Sequence, residues 1–70
     1  TVLMWASQRN SNKVAKLLIA NGANINAIDK YGRTALMLAS QEEVAKLLIE
    51  NGADVNAVDK DGWTALMKAL

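Results

Sequence analysis

The 70-residue chain has no cysteine, no histidine and no proline, and its only aromatic side chains are Trp5, Tyr31 and Trp63. Without cysteine, disulfides and thiolate metal sites are excluded, a composition that suits a reducing, cytoplasmic setting. Without histidine, Ser-His triads, Cys-His dyads, histidine-bearing zinc sites and imidazole general bases all disappear. Charge of one sign is also scarce. The formal net charge is +1, and the basic residues are spread from Arg9 to Lys68, so no field of one sign gathers nucleic acid or a membrane surface. The apolar runs are too short to span a bilayer. Read from Thr1, the chain shows no basic-then-apolar leader, so no secretory signal is expected.

What the chain does have is repetition. Val14 to Ser40 aligns with Val44 to Leu70 at a shift of 30, and 19 of the 27 paired residues are identical. Thr1 pairs with Thr34 at a shift of 33, because the first unit keeps three residues that the second lacks. Such self-similarity marks a solenoid, whose units are too small to bury an apolar face alone and stack it on the next. Units of about 1–33 and 34–63 and a partial third unit of 64–70 are expected to form one domain. Seventy residues is close to the lower limit for a core without staples.

Within a unit, Val14, Leu17 and Leu18, and again Val44, Leu47 and Leu48, stand at i, i+3, i+4 and predict a one-sided helical stripe. Gly22 and Gly52, each after Asn, supply the left-handed residue that ends such helices. The following "ANINAIDKYG" and "ADVNAVDKDG" are rich in Asx and Gly, so hairpin-like loops are expected there rather than strands. Thr1, Thr34 and Thr64 are natural N-caps for the helices they precede.

"NGANINAIDKYGRTAL" and "NGADVNAVDKDGWTAL" resemble the ankyrin repeat, a turn plus two antiparallel helices, and the likeness covers essentially the whole chain. The resemblance implies an all-α helix-turn-helix solenoid and a non-catalytic scaffold that binds protein partners. The family's T-P-L-H signature is altered: Val2 and Met4, Ala35 and Met37, and Ala65 and Met67 stand at its Pro and His positions. The inter-loop hydrogen bonds of that His are therefore expected to be missing, with thioether packing in their place.

The junction between the helices of the second unit is the puzzle. In the first unit, "SQRNSNK" can stop and restart a helix, because Asn10 tolerates left-handed angles and Ser11 and Asn12 can cap. In the second, "SQEE" contains no breaker. One expectation is a continuous helix over 34–50, about 25 Å long. It would hold Leu36, Met37, Val44, Leu47 and Leu48 in a stripe roughly 120° wide, with Glu42 and Lys46 paired at i, i+4. Such a rod cannot fold back, so it implies a domain-swapped or end-to-end homo-oligomer. The rival is a tight corner in which Ser40 and Glu43, spaced as a capping box, open a second helix at once. An omitted loop is the third possibility. Both outer helices lack a polar outer face, and two units and a fragment fall short of the roughly three repeats that usually stand alone. Association is the expected remedy.

Chemistry-bearing motifs are few. Glu42 and Glu43 read as a solvated helix surface rather than paired catalytic acids. "DKDG", Asp59 to Gly62, opens like a calcium loop, but its twelfth position is Leu70, so a turn is preferred. No phosphate-binding glycine motif exists, and Met4, Met37 and Met67 at matched helical positions read as core. No enzyme activity, cofactor or metal is expected.

The informative positions are those at which the copies change class: Tyr31 against Asp61, Arg33 against Trp63, and Leu38 against Lys68, with Trp5 as the counterpart of Leu38. By the resemblance, these fall at the loop tips and on the concave face of the first helices, where partners are gripped; Lys30, Lys60, Gln8 and Arg9 join them. Aromatic and Arg side chains are the usual anchors of interfaces. The alternative is an engineered or excised chain that assembles mainly with itself.

Overall fold

A computed structural model describes residues 1–69, with five helices: α1 (Val2–Gln8), α2 (Asn12–Ala20), α3 (Ala35–Leu38), α4 (Glu42–Glu50) and α5 (Ala65–Ala69). Leu70, the last residue of the partial third unit, lies outside the described residues. Helices α1, α3 and α5 form one row and α2 and α4 a second, since α1 packs on α3, α3 on α5 and α2 on α4. There is no strand among the described residues.

Each first helix starts where a threonine can cap it. The Met4, Met37 and Met67 N–H groups donate to the Oγ1 atoms of Thr1, Thr34 and Thr64 at 3.1, 3.3 and 3.3 Å, which satisfies amides that the helix leaves without a partner. Each second helix ends on Asn: the Asn21 and Asn51 side-chain amides donate back to the Leu17 and Leu47 carbonyls at 2.8 Å. The next residues, Gly22 and Gly52, have φ of 85 and 97°, as the helix-stop pattern predicts.

The core lies between the two rows. Leu3, Met4, Ala6, Ala15, Ala35, Leu36, Val44 and Leu48 are buried together, and the buried Ser7 hydroxyl donates to the Leu3 carbonyl at 2.7 Å. Small residues at 6, 15 and 35 let the helices approach closely, while Leu and Val fill the space between them. Met4 and Met37 are buried, but Met67 is half-exposed, so the core reading holds for only two of the three.

The junction corrects the sequence expectation. No continuous helix runs from 34 to 50: α3 ends at Leu38, and Ala39 (φ −65, ψ 117°) and Gln41 (φ −131, ψ 152°) are extended. The three missing residues are taken from the helix, not from the turn. Three residues join the helices in both units, 9–11 and 39–41, and α2 and α4 both have nine residues, but α1 has seven and α3 only four. The capping-box reading is corrected as well. Gln41, not Ser40, is the N-cap of α4, and it makes no side-chain cap bond. Ser40 instead donates its hydroxyl to the Gln8 carbonyl at 3.0 Å, so it ties the corner to the end of α1. Among the described residues, Glu42 and Lys46 make no ion pair.

The expected stripe on α2 also needs correction. Ala15 is buried and Leu18 and Ile19 half-buried, whereas Val14 and Leu17 are exposed. Their counterparts Val44 and Leu47 are covered because α2 lies against α4.

Candidate protein-binding surface

The loops that follow α2 and α4 are built by one device each. Asp29 accepts the Tyr31 and Arg33 N–H groups on Oδ1 at 2.8 and 2.9 Å and the Arg33 Nε on Oδ2 at 2.8 Å. Asp59 repeats this: its Oδ1 accepts the Asp61 and Trp63 N–H groups at 2.9 Å each, and its Oδ2 meets Lys68 Nζ at 3.0 Å. Donors occupy both oxygens of each carboxylate, which is why "DKDG" is a turn and not the start of a calcium loop. Desolvation would raise the Asp29 carboxyl, but the Arg33 and Tyr31 hydrogen bonds outweigh it and lower its pKa from 3.8 to about 2. The Trp63 N–H bond is foremost in holding Asp59 below its ordinary value, and Lys68 adds to it against desolvation.

The two loops are tied to each other through the backbone. Lys60 N–H donates to the Tyr31 carbonyl at 3.0 Å. Lower down, the Asn26 side-chain amide donates to the Gly52 carbonyl at 3.1 Å and accepts the Asp54 N–H at 2.8 Å. Asn26 was not singled out from the sequence. Its signal is its identity with Asn56 in the other copy, just after two positions that differ, Asn24 against Asp54 and Ile25 against Val55.

On this frame the candidate residues fall into three groups and three separate positions. At the first loop tip, Lys30 Nζ and the Arg33 guanidinium lie 5.1 and 4.9 Å from the centroid of the Tyr31 ring. On α1, the Arg9 guanidinium lies 5.2 Å from the centroid of the Trp5 ring. Both are cation–π distances. Trp5, Tyr31 and Trp63 are each about half exposed. Lys60, Asp61 and Trp63 form the second loop tip, all exposed, and Lys68 bridges from α5 to the base of that loop. Gln8 is exposed, and its backbone carbonyl accepts the Ser40 hydroxyl. Leu38 differs from the rest: it is half-buried and packs against the core.

This arrangement offers outward-facing aromatic and basic groups on stacked helix pairs, which defines the class: a helical-repeat solenoid with aspartate-pinned turns. The ankyrin-repeat family model, describing three copies, matches residues 3–70, and the chain belongs to that family. No curated protein gives a significant match to it. Ankyrin repeats are generally protein–protein interaction modules, and the family is typically a non-catalytic scaffold. Among the described residues, no helix is long and apolar enough to cross a membrane.

Proposed function

We propose that the chain is a non-catalytic scaffold that grips a partner protein through its loop tips and first-helix face, with Trp5, Tyr31 and Trp63 as anchors. Around them lie Gln8, Arg9, Lys30, Arg33, Leu38, Lys60, Asp61 and Lys68. The observation that carries this reading is the fixing of the loop tips before any partner arrives. The Asp29 and Asp59 carboxylates hold the backbones of Tyr31, Arg33 and Trp63 at 2.8–2.9 Å, so little further ordering is lost on binding. With Asp29, Asp59 and Asp61 set against Arg9, Lys30, Arg33, Lys60 and Lys68, the face carries 5 − 3 = +2, in a chain of net +1. It therefore suits a partner segment that sets carboxylates beside an apolar or aromatic side chain. An intracellular setting fits a chain without cysteine.

Selection of binding peptides from a displayed random library tests this. Selected sequences should combine acidic and apolar residues. Their affinity should fall about ten- to a hundredfold with Tyr31→Ala or Trp63→Ala, and be unchanged by Lys16→Ala on α2. Binders that are insensitive to the first two substitutions and lost with Lys16→Ala would place recognition elsewhere.

A further inference from the structure

The two units have nearly the same second helix, "KVAKLLIA" in α2 and "EVAKLLIE" in α4, yet the same positions are buried differently. Val44 is 0 % exposed and Leu47 half-buried, whereas Val14 and Leu17 are 38 and 64 % exposed. The side chains are identical, so the difference lies in what covers them: α2 packs against α4, and among the described residues no helix covers Val14 and Leu17. The reverse holds on the other side of these helices. Ala15 is 0 % exposed and Ile19 half-buried beneath α4, whereas Ala45 is only half-buried and Ile49 is 50 % exposed. Ala45 and Ile49, with Leu36 and Ala39 from the α3 end, Val55 from the loop and Leu66 of α5, line an open apolar groove of about 250 Å³. One end of the molecule thus presents the face that α4 uses against α2. The other end presents the face that α2 offers to α4.

Charge points the same way. Helix α2 carries Lys13 and Lys16 and no acid, a charge of 2 − 0 = +2, while α4 carries Lys46 against Glu42, Glu43 and Glu50, a charge of 1 − 3 = −2. The internal contact joins a basic helix to an acidic one, and the open groove lies on the acidic helix.

We propose that the groove receives helix α2 of a second copy of the chain, so that the protein associates head to tail. Val14 and Leu17 of the incoming copy enter beside Ala45 and Ile49, and Lys13 and Lys16 come near the glutamates of α4. The incoming α1 takes the place of α5 on α3, so Leu3 of that copy replaces Leu66 as a wall of the groove and the Lys68–Asp59 pair is given up. The segments "TVLMWA" (1–6) and "TALMKA" (64–69) are near-copies, so α3 meets the same Leu and Met positions from either. The interface is heterologous and leaves a free groove and a free α2 at the two ends, so growth does not stop at a dimer.

Sedimentation equilibrium of the 70-residue chain between about 10 µM and 1 mM, a range suited to a small interface, tests this. The weight-average mass should climb above 7.5 kDa without settling at a dimer. Leu17→Glu spoils the α2 face and Ile49→Lys spoils the groove, each at a position already half exposed or more. Each variant alone should stay monomeric at concentrations where the parent associates, and an equimolar mixture should form a dimer that grows no further. If circular dichroism shows either to be unfolded, Val14→Glu and Val55→Lys replace them. A parent of constant monomer mass, a Leu17→Glu variant that still associates, or a mixture that stays monomeric would each overturn the proposal.

Discussion

Gly32 and Gly62 occupy the same position in the two loops and have nearly the same backbone, φ of 76 and 81°, but different surroundings. A Cβ added at Gly32 would lie 3.1 Å from Lys60 N and 3.4 Å from Asp59 Cα, whereas one at Gly62 would meet nothing within 4 Å. Alanine at either position bears the left-handed cost of about 1–2 kcal/mol, partly offset by ~0.4–1 kcal/mol from a less flexible unfolded chain. The net loss at Gly62 is therefore about 1 kcal/mol. At Gly32 the second loop must also shift by a few tenths of an ångström, and the atom that must move is the donor of the 3.0 Å bond from Lys60 to the Tyr31 carbonyl. Weakening that bond adds about 0.5–1.5 kcal/mol, for a total of about 2 kcal/mol. In a domain whose core supplies ~3–5 kcal/mol, that is near half of the stability. Urea unfolding followed by far-UV circular dichroism measures both variants, and the equality of their m-values checks that the unfolded states are comparable. Gly32→Ala should lose about twice as much as Gly62→Ala. Equal losses would mean that the loops are not in contact at this point, and the inter-loop bond would have to be abandoned.

Two further outcomes follow from single residues. Asn10 has φ of 56° and its buried Oδ1 has no hydrogen-bond partner among the described residues, so Asn10→Gly removes an unpaired acceptor and suits the backbone; a gain of about 1 kcal/mol, or ~4–8 °C in Tm, is expected, and a lower Tm would refute it. Asp29 and Asp59 titrate below their ordinary value of 3.8 when folded, Asp29 at about 2; because the folded state then binds fewer protons than the unfolded one, their contribution is complete above pH ~4 and is lost as pH falls toward about 2. Urea midpoints measured across that window should fall for the parent and fall less steeply for Asp29→Asn combined with Asp59→Asn.

Features that depend on a few adjacent residues were legible in the chain. Thr34 caps α3, Asn10 takes the left-handed angle that its amide tolerates, Gly22 and Gly52 have positive φ, and "DKDG" forms a turn, each through contacts no more than four residues apart. What depended on distant partners was not. Val14 and Leu17 match Val44 and Leu47 residue for residue, and no local pattern tells which pair has a neighbour to cover it. The spacing of Ser40 and Glu43 allows a capping box as one of the alternatives for the junction, but the hydroxyl donates to the Gln8 carbonyl 32 positions away. The Asn26 amide, which joins the two loops, bonds across 26 and 28 positions.

The shortened junction shows which scale of energy decides. Continuing the helix through Ala39, Ser40 and Gln41 is favoured by propensities that differ by no more than ~0.7 kcal/mol per residue. In a continuous helix Leu36 and Leu48 would lie 12 residues and about 18 Å apart along the axis, too far to share one core. Folding back places both in the same buried cluster and leaves Val44 and Leu48 0 % exposed, and burying each such side chain contributes about 1.5–3 kcal/mol. Burial therefore outweighs propensity by several kcal/mol, and the chain gives up three helical residues of α3 to keep the corner. Once the corner closes within one molecule, a fused helix is no longer a reason to exchange halves with a neighbour. The faces left for self-association are then the open ones, the outer side of the basic helix α2 and the apolar groove beside the acidic helix α4.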